Sequence, residues 1–197
     1  MRLMSSSVLR LAICAGLCGL GFLSPARADD DASCKALETA ILANSKAPYH
    51  SYTKIQFTYA AMMTVAHRNL KLPEEQQSET IFTGDAVFIR LVPRKWQAMP
   101  GTVAQFQASI KDSVTGLKDC KSFPDEKVDG VDAKVFQGSA SPQNRLVQTK
   151  VWVGPEGLPL KSETDIEVGH SPGGDMVHQH LTTRYEHGKI EAPSLTQ

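Results

Sequence analysis

The sequence predicts a mainly β protein with two or more helices, an α+β fold in which one antiparallel sheet curls into a barrel or half-barrel. Apolar and polar residues alternate with a period of two in about eight segments, which predicts strands. Two other segments have helical spacing, and tight-turn signals such as Asp129-Gly130 separate neighbouring strands. A sheet of that many one-sided strands must curl to bury its apolar face.

The first 28 residues have the organisation of a secretory signal peptide. Arg2 and Arg10 supply positive charge ahead of 13 uncharged, mostly apolar residues at 11–23. Ala26-Arg27-Ala28 then provides the small-x-small pattern that precedes a cleavage site. The alternative is a membrane anchor, but a bilayer span needs about 20 apolar residues. We therefore expect cleavage after Ala28, a periplasmic location and a single domain at 29–197.

The balance of charge excludes several classes of function. The chain carries 21 basic and 21 acidic residues, and loss of the signal peptide leaves 18 basic and 21 acidic residues over 169 positions. Neither total provides the basic field that binds nucleic acid or an anionic membrane surface. The apolar fraction of 41% is ordinary for a globular domain and argues against disorder.

Two cysteines, Cys34 and Cys120, remain once the signal peptide is removed. Two thiols in an oxidising compartment most often pair, so we expect a disulfide between them. Two unpaired buried cysteines are the alternative. A metal site is the least favoured interpretation, because the chain contains no Cys-x-x-Cys motif.

The N-terminal half begins with a predicted helix. Ser33 is expected to cap it, and Pro48 to end it. Its apolar stripe consists of Cys34, Leu37, Ala40 and Ile41. From residue 52 the period changes to two, which predicts a long strand whose apolar face carries Ile55, Phe57 and Tyr59. The polar stretch 69–78, which contains Pro73, predicts a loop.

The middle of the chain predicts two short strands and a second helix. Residues 80–82 and 86–92 flank the turn 83–85, and a short segment with Trp96 follows. Thr102 is expected to cap a helix at 103–115. Strands then follow one another to the end, at about 131–135, 146–153, 158–168 and 176–186. Trp152 lies on the side of its strand shared with Gln148 and Lys150, opposite Val147, Thr149, Val151 and Val153.

Several short motifs follow one another between about residues 80 and 193. They are Thr83-Gly84-Asp85 with Lys95-Trp96, the hairpin 128–135, Lys150-Val151-Trp152-Val153 leading to Gly157-Leu158-Pro159-Leu160-Lys161, and a closing strand that ends in Ile190-Glu191-Ala192-Pro193. Their order resembles the superfamily of the periplasmic outer-membrane lipoprotein carrier LolA and its relative LolB. The resemblance implies an unclosed, strongly curved antiparallel half-barrel, with helices over a concave face and an apolar cavity that receives acyl chains.

No sequence motif indicates catalysis. The chain lacks Gly-x-Ser-x-Gly, His-x-x-x-His and a glycine-rich phosphate loop, so we expect neither an enzyme nor a cofactor. His178 and His180 project from one side of a strand, close enough to share a metal. Their neighbours Arg184 and Glu186 favour a solvated polar face instead, which leaves metal binding by the C-terminal histidines as a remote alternative.

Two functions of different class remain. The first is a carrier or binding protein that shields an acyl chain or another apolar ligand, without an integral membrane span and without nucleic acid. The candidate cavity-lining residues are Ile55, Phe57, Tyr59, Phe88, Trp96, Phe106 and Ile110. The second is an envelope protein-interaction or structural module, in which these side chains form a filled core and an open sheet edge recruits a partner strand.

Overall fold

Two helices and eleven strands are present in the computed structural model, which describes residues 26–59, 64–65, 68–69, 75–142, 145–168 and 177–195. In chain order they are α1 (Ala26–Asn44), β1 (Tyr49–Tyr59), β2 (Thr64–Val65), β3 (Arg68–Asn69), β4 (Glu75–Phe82), β5 (Val87–Leu91), β6 (Gln97–Ala98), α2 (Val103–Val114), β7 (Lys118–Val128), β8 (Val131–Ala140), β9 (Leu146–Val153), β10 (Pro159–Val168) and β11 (Val177–His187). Nearly all of the expected signal peptide lies outside the described residues.

Nine strands form one antiparallel sheet in the order β6-β5-β4-β1-β11-β10-β9-β8-β7, and β2 and β3 pair only with each other. The order is linear, so the sheet is not closed. Its centre is the pairing of β1 with β11, which runs from Tyr49 opposite His187 to Tyr59 opposite Val177. This arrangement confirms the α+β fold and the unclosed antiparallel half-barrel that the sequence and its resemblance predict.

Both helices pack on one face of the sheet, which we call the inner face. From α1, Leu37 and Ala40 pack against Val151 and Val153 of β9. The second helix covers the other half of the sheet, where Val103 and Phe106 pack against a cluster formed by Tyr49, Phe82 and Val87. The opposite face, which we call the outer face, has its own buried cluster of Val128, Ala133, Val135 and Trp152.

Several local predictions are confirmed. Thr102 caps α2, and its hydroxyl accepts a hydrogen bond from Gln105 N while the Gln105 side chain accepts one from Thr102 N. Asp129 and Gly130 have φ angles of 52° and 85° and connect β7 to β8, as the hairpin signal predicts. Cys34 and Cys120 form the predicted disulfide.

Other boundaries differ from the expectation. Helix α1 begins at Ala26 rather than after a cap at Ser33, because the alanine-rich segment before Ser33 also favours a helix. Ser33 is therefore a buried residue inside α1. The predicted loop at 69–78 is wrong from Glu75 onward, where β4 begins. Its polar side chains are tolerated because the backbone pairs with β1 while Glu75 and Gln77 point to solvent.

The alternation along β10 is also interrupted. The register with β9 shifts between Pro159 and Lys161, which marks a β-bulge at Leu160. Leu160 therefore packs against the outer-face cluster that contains Trp152, whereas Ile166, which the alternation places on the same side, faces inward.

Candidate functional site: a cavity between the helices and the sheet

A cavity of about 510 Å³ lies between the two helices and the inner face of the sheet. Its helical side is formed by Ile41, Asn44, Ile110, Ser113, Val114 and Leu117, the last just beyond α2. We call these residues the roof. Strands β9, β10 and β11 form the floor, with Val147, Thr149, Val151, Ser162, Thr164, Ile166, Leu181 and Tyr185. The volume falls within the range of about 300–1,000 Å³ that is usual for small-molecule sites.

The floor residues share one face because of the strand register. Thr149 lies opposite Thr164, and Thr164 lies opposite Leu181, so one row of side chains crosses three strands. Val151 and Ser162 form the neighbouring row in the same way. Directly opposed residues in antiparallel strands project to the same side, which aligns these side chains toward the helices.

Hydroxyl groups are paired across the floor. Thr149 Oγ1 lies 3.3 Å from Thr164 Oγ1, and Ser162 Oγ lies 3.3 Å from the Tyr185 hydroxyl. These pairings satisfy polar atoms that apolar surroundings would otherwise leave without water. The floor therefore combines aliphatic side chains with neutral hydrogen-bonding groups.

The tyrosine at one end of the floor is partly buried and packs against the neighbouring inner-face cluster. Burial raises the pKa of the Tyr185 phenol, and hydrogen bonds with Ser162 and Thr183 oppose that shift. Burial and the nearby Tyr185 also raise the pKa of Tyr49, which packs edge-on against it at a ring-centre distance of 5.8 Å. Both phenols therefore remain neutral in the ordinary pH range.

The described lining of the cavity carries no charged side chain. Among the described residues that line it, there is no Asp, Glu, Lys, Arg or His. The Asn44 side chain at the roof is the one amide among these described residues, and its Oδ1 atom is buried without a hydrogen-bond partner. The arrangement can therefore hold an uncharged, largely apolar group.

Some of the candidate lining residues lie at or beside this cavity. Ile110 of α2 lines it directly. Phe106, one turn earlier, packs 5.7 Å from the ring of Phe82 in the neighbouring inner-face cluster. Ile55 and Phe57 lie on the inner side of β1, and Ile55 is directly opposite the lining residue Leu181.

The remaining candidates are placed elsewhere. Phe82 and Val87 occupy inner-face positions, so the strand alternation sends Phe88 to the outer face. The Arg90 guanidinium lies over the Trp96 ring, 4.7 Å from its centre. The centres of the Trp96 and His50 rings are 5.9 Å apart. The structure therefore does not bring Phe88 and Trp96 to the cavity. The Tyr59 side chain lies outside the described part of the chain.

The sequence-based list of candidates omitted the polar floor. It favoured aromatic side chains, whereas the floor contains Thr149, Ser162, Thr164 and Tyr185. Part of the signal was present in the sequence, because Thr149 lies between Val147 and Val151 on the same, apolar side of β9. Ser162 and Thr164 likewise share the side of β10 that carries Ile166, and the bulge at Leu160 displaces only the apolar residue before them.

The described C-terminal histidines lie on both faces of the sheet, and His178 shares the outer side of β11 with His180. His180 projects from the outer side of β11, where its Nδ1 atom lies 2.7 Å from Asp165 Oδ1. His187 lies on the opposite side, with Nε2 2.7 Å from the Pro159 carbonyl oxygen. Within the described ranges, no group of three or more His, Cys, Asp and Glu residues could hold a metal ion.

A polar network occupies the outer side of the central strands. Glu79 binds the Arg90 guanidinium at 2.7 Å and His50 Nε2 at 3.0 Å through its two carboxylate oxygens. The Tyr52 hydroxyl lies 3.0 Å from His50 Nδ1 and donates to Glu186 at 3.3 Å. These groups are engaged with one another across the four adjacent strands β5, β4, β1 and β11.

Neither described helix combines the length and apolar character needed to cross a membrane.

No protein-family model and no curated protein matches the sequence. Similar solved structures include the lipoprotein LppX of Mycobacterium tuberculosis, with 12% identity and a TM-score of 0.44 over 84% of this chain and 98% of that one. A DUF1329 family protein from Desulfovibrio piger has 10% identity and a TM-score of 0.30 over 80% and 93% of the two chains. The match to the Pseudomonas aeruginosa MucA/MucB complex has 15% identity and a TM-score of 0.35, and it covers 84% of this chain and 60% of that one. At these values the likeness says nothing about what this protein binds.

Proposed function

We propose that this protein is an exported, non-enzymatic carrier that holds an acyl chain or another apolar ligand in the cavity beneath α1 and α2. The observation that supports this proposal is a space of about 510 Å³ whose described lining has no Asp, Glu, Lys, Arg or His side chain. Such a lining favours apolar groups and penalises the entry of charges. Holding a ligand there requires no covalent step.

The size of the cavity suits one hydrocarbon chain. An apolar protein cavity of about 150 Å³ takes up a benzene ring, so the space here has room for roughly three such six-carbon units. Transfer of each methylene group from water contributes about 0.8 kcal/mol. A chain with a dozen buried methylenes therefore gains roughly 10 kcal/mol, part of which offsets the loss of translational freedom.

Export to an oxidising compartment is the second part of the proposal. The pattern at residues 1–28 supports it, with its positive start, short apolar run and small-x-small end. The Cys34–Cys120 disulfide supports it independently, because such bonds persist mainly outside the cytosol. We propose cleavage after Ala28, which would place Asp29, Asp30 and Asp31 at the start of α1, where negative charge is favourable.

The test begins with the full chain, expressed with its own N-terminus and purified from the periplasmic fraction. Intact mass spectrometry reports the cleavage site, and native mass spectrometry followed by organic extraction reports any bound lipid. A fluorescent fatty acid then measures uptake by emptied protein. The proposal predicts a co-purifying lipid mass or saturable uptake of the probe. A bare polypeptide mass together with no uptake would contradict it.

Neighbouring residues of β11 provide a matched pair of variants. Leu181→Trp places a bulky side chain in the cavity, whereas Thr182→Trp places the same side chain on the outer face. The carrier proposal predicts that Leu181→Trp lowers probe uptake at least tenfold while Thr182→Trp leaves uptake unchanged. Circular dichroism and thermal unfolding check that both variants are folded. Equal uptake by two folded variants would place the ligand elsewhere.

The alternative, an interaction module that adds a partner strand, has less support from the sheet edges. Strand β6 has only two residues. The other edge strand, β7, carries Pro124 and has register shifts after Lys118 and Phe123. Proline and bulges are features that discourage the pairing of an edge with another strand. The open cavity also argues against the filled core that this alternative assumes.

A further inference from the structure

We infer that the cavity selects an uncharged amphiphile whose ester, hydroxyl or amide group binds the hydroxyl-bearing floor, in preference to a lipid with an ionised group at that depth. This inference rests on the proposed carrier function and specifies the class of ligand. A monoacylglycerol is the simplest lipid of this class. A free fatty acid with the same chain is the simplest member of the disfavoured class.

The first argument is the placement of charge on β9 and β10. The lysines nearest to the floor in sequence, Lys150 and Lys161, alternate with the inward-facing residues and project from the outer face. Their ammonium groups lie 4.4 and 4.3 Å from the ring centre of Trp152 on that face. No cation among the described lining residues can therefore neutralise a carboxylate or phosphate, and burying such a group unpaired is costly.

The second argument is the hydrogen-bonding capacity of the floor. In the Thr149–Thr164 and Ser162–Tyr185 pairs the oxygen atoms are 3.3 Å apart, longer than the usual 2.7–2.8 Å for hydroxyl hydrogen bonds. Each hydroxyl has one donor and two acceptor positions, so each pair can take another partner. An ester carbonyl could accept a hydrogen bond from one hydroxyl, and a ligand hydroxyl could donate to the other.

The third argument comes from the roof. Asn44 lies at the C-terminal end of α1, and its buried Oδ1 atom has no hydrogen-bond partner. A buried amide oxygen left without a hydrogen bond is unfavourable. Rotation of the side-chain amide would let this oxygen accept a hydrogen bond from a ligand hydroxyl or N–H. A pure hydrocarbon cannot supply that donor, and an ionised carboxylate has none to give.

The experiment is a competition between two ligands with the same hydrocarbon chain. Each lipid, monoolein or oleate, is used to displace an uncharged fluorescent acyl probe from the protein that is expressed as the full chain and purified from the periplasmic fraction. The buffer is mildly alkaline, and both lipids stay below the concentration at which they aggregate. We expect monoolein to displace half of the probe at a concentration at least tenfold lower than oleate requires. Equal potency, or a preference for oleate, would overturn the inference. A probe that does not bind at all would overturn the proposed function as well.

Variants of Thr164 test separately the two structural causes of the preference, which are the uncharged lining and the hydroxyl groups of the floor. Thr164→Lys introduces a cation into the floor and should reverse the preference, so that oleate competes better than monoolein. Thr182→Lys, on the outer side of β11, is the matched control and should keep the wild-type preference. Because a buried lysine can prevent folding, the nearly isosteric Thr164→Val serves as a second variant. It should reduce the preference for monoolein over oleate at least threefold, and an unchanged preference would contradict a role for the hydroxyl.

Discussion

Cys34 of α1 and Cys120 of β7 are joined by a disulfide, with Cα atoms 5.1 Å apart. Cys120 is 2% exposed, and one turn along α1 from Cys34 the side chain of Leu37 is completely buried. The bond therefore ties the helix that forms part of the cavity roof to an edge strand of the sheet. The position of α1 over the cavity depends on this covalent contact as well as on apolar packing.

Removal of the disulfide should destabilise the protein. The two cysteines are 86 residues apart, and the chain-entropy relation gives about 4.6 kcal/mol for a loop of that length. Because measured effects are usually smaller, we expect the Cys34→Ala/Cys120→Ala variant to lose about 2–4 kcal/mol of unfolding free energy. Urea denaturation measures the loss, and reduced wild-type protein should match the variant. Two free thiols in unfolded, unreduced wild-type protein would contradict the bond itself.

Gly138→Ala should be destabilising because β8 passes close under α1 and the disulfide. A Cβ atom at this position would lie 2.9 Å from both Cys120 Sγ and Leu37 Cδ2. We expect a loss of about 1–3 kcal/mol, typical of an overpacked core, measured by urea denaturation.

A double-mutant cycle provides the control for Gly138. In the Cys34→Ala/Cys120→Ala background the sulfur atom is absent, so the same Gly138→Ala change should cost at least 0.5 kcal/mol less, a coupling typical of residues in contact. If Gly138→Ala changes the unfolding free energy of the disulfide-bonded protein by less than about 0.5 kcal/mol, the usual range for surface substitutions, the close contact is contradicted.

Trp152→Phe should change the acid titration of Glu126. The Trp152 indole Nε1 donates a 2.8 Å hydrogen bond to Glu126 Oε2, and this bond, followed by interaction with Lys150, lowers the carboxyl pKa. Loss of the indole N–H should therefore raise the pKa toward its ordinary value, as measured by NMR titration of the side-chain carboxyl carbon. A lowered folded-state pKa stabilises the fold above the unfolded value of about 4.5, and this contribution disappears as the pH falls through the folded value. The stability difference between wild type and variant should accordingly narrow in acid.

The two phenols on the inner face should limit stability in alkali. Burial raises the pKa of both Tyr49 and Tyr185 above the ordinary value of 10.0, so the unfolded chain loses these protons first. Their neutral forms favour the fold fully below pH 10.0, and this contribution falls as the pH rises above it.

Tyrosinate absorbance provides the measurement. In the wild type, part of the absorbance change should coincide with unfolding by circular dichroism. Tyr185→Phe removes one titrating group and should make the alkaline loss of stability shallower. Independent titration of all tyrosines well before unfolding would contradict the buried position of the two phenols.

Local signals predicted many elements of this fold. Helix α2 follows from the cap at Thr102 and the helical apolar spacing that begins at Val103, and the Asp129-Gly130 turn specifies the β7–β8 hairpin. Each depends on residues close together in the chain, where propensity and hydrogen bonding decide the conformation. Strand β9 was predicted with its observed bounds, since its alternation is uninterrupted.

The composition of the candidate site was less predictable. Of the seven candidate lining residues, Ile110 lines the described cavity, while Phe88 and Trp96 are on the outer face. Alternation shows which residues of one strand share a side, but it does not show which side the helices cover. Both faces of this sheet bury apolar clusters, one under the helices and one around Trp152, so apolar character could not distinguish them.

The sequence by itself determined the signal-like pattern at residues 1–28, the small net charge of residues 29–197, the mainly β content and the pairing candidates Cys34 and Cys120. Tertiary structure alone decided that β1 lies beside β11, that β4 forms from polar residues and that neutral hydroxyls form a cavity floor. The first feature depends on pairing between segments more than 100 residues apart, and β4 depends on its pairing with β1; local periodicity does not encode the register of either pairing. The energy that selects them comes from burial shared by the whole sheet and both helices.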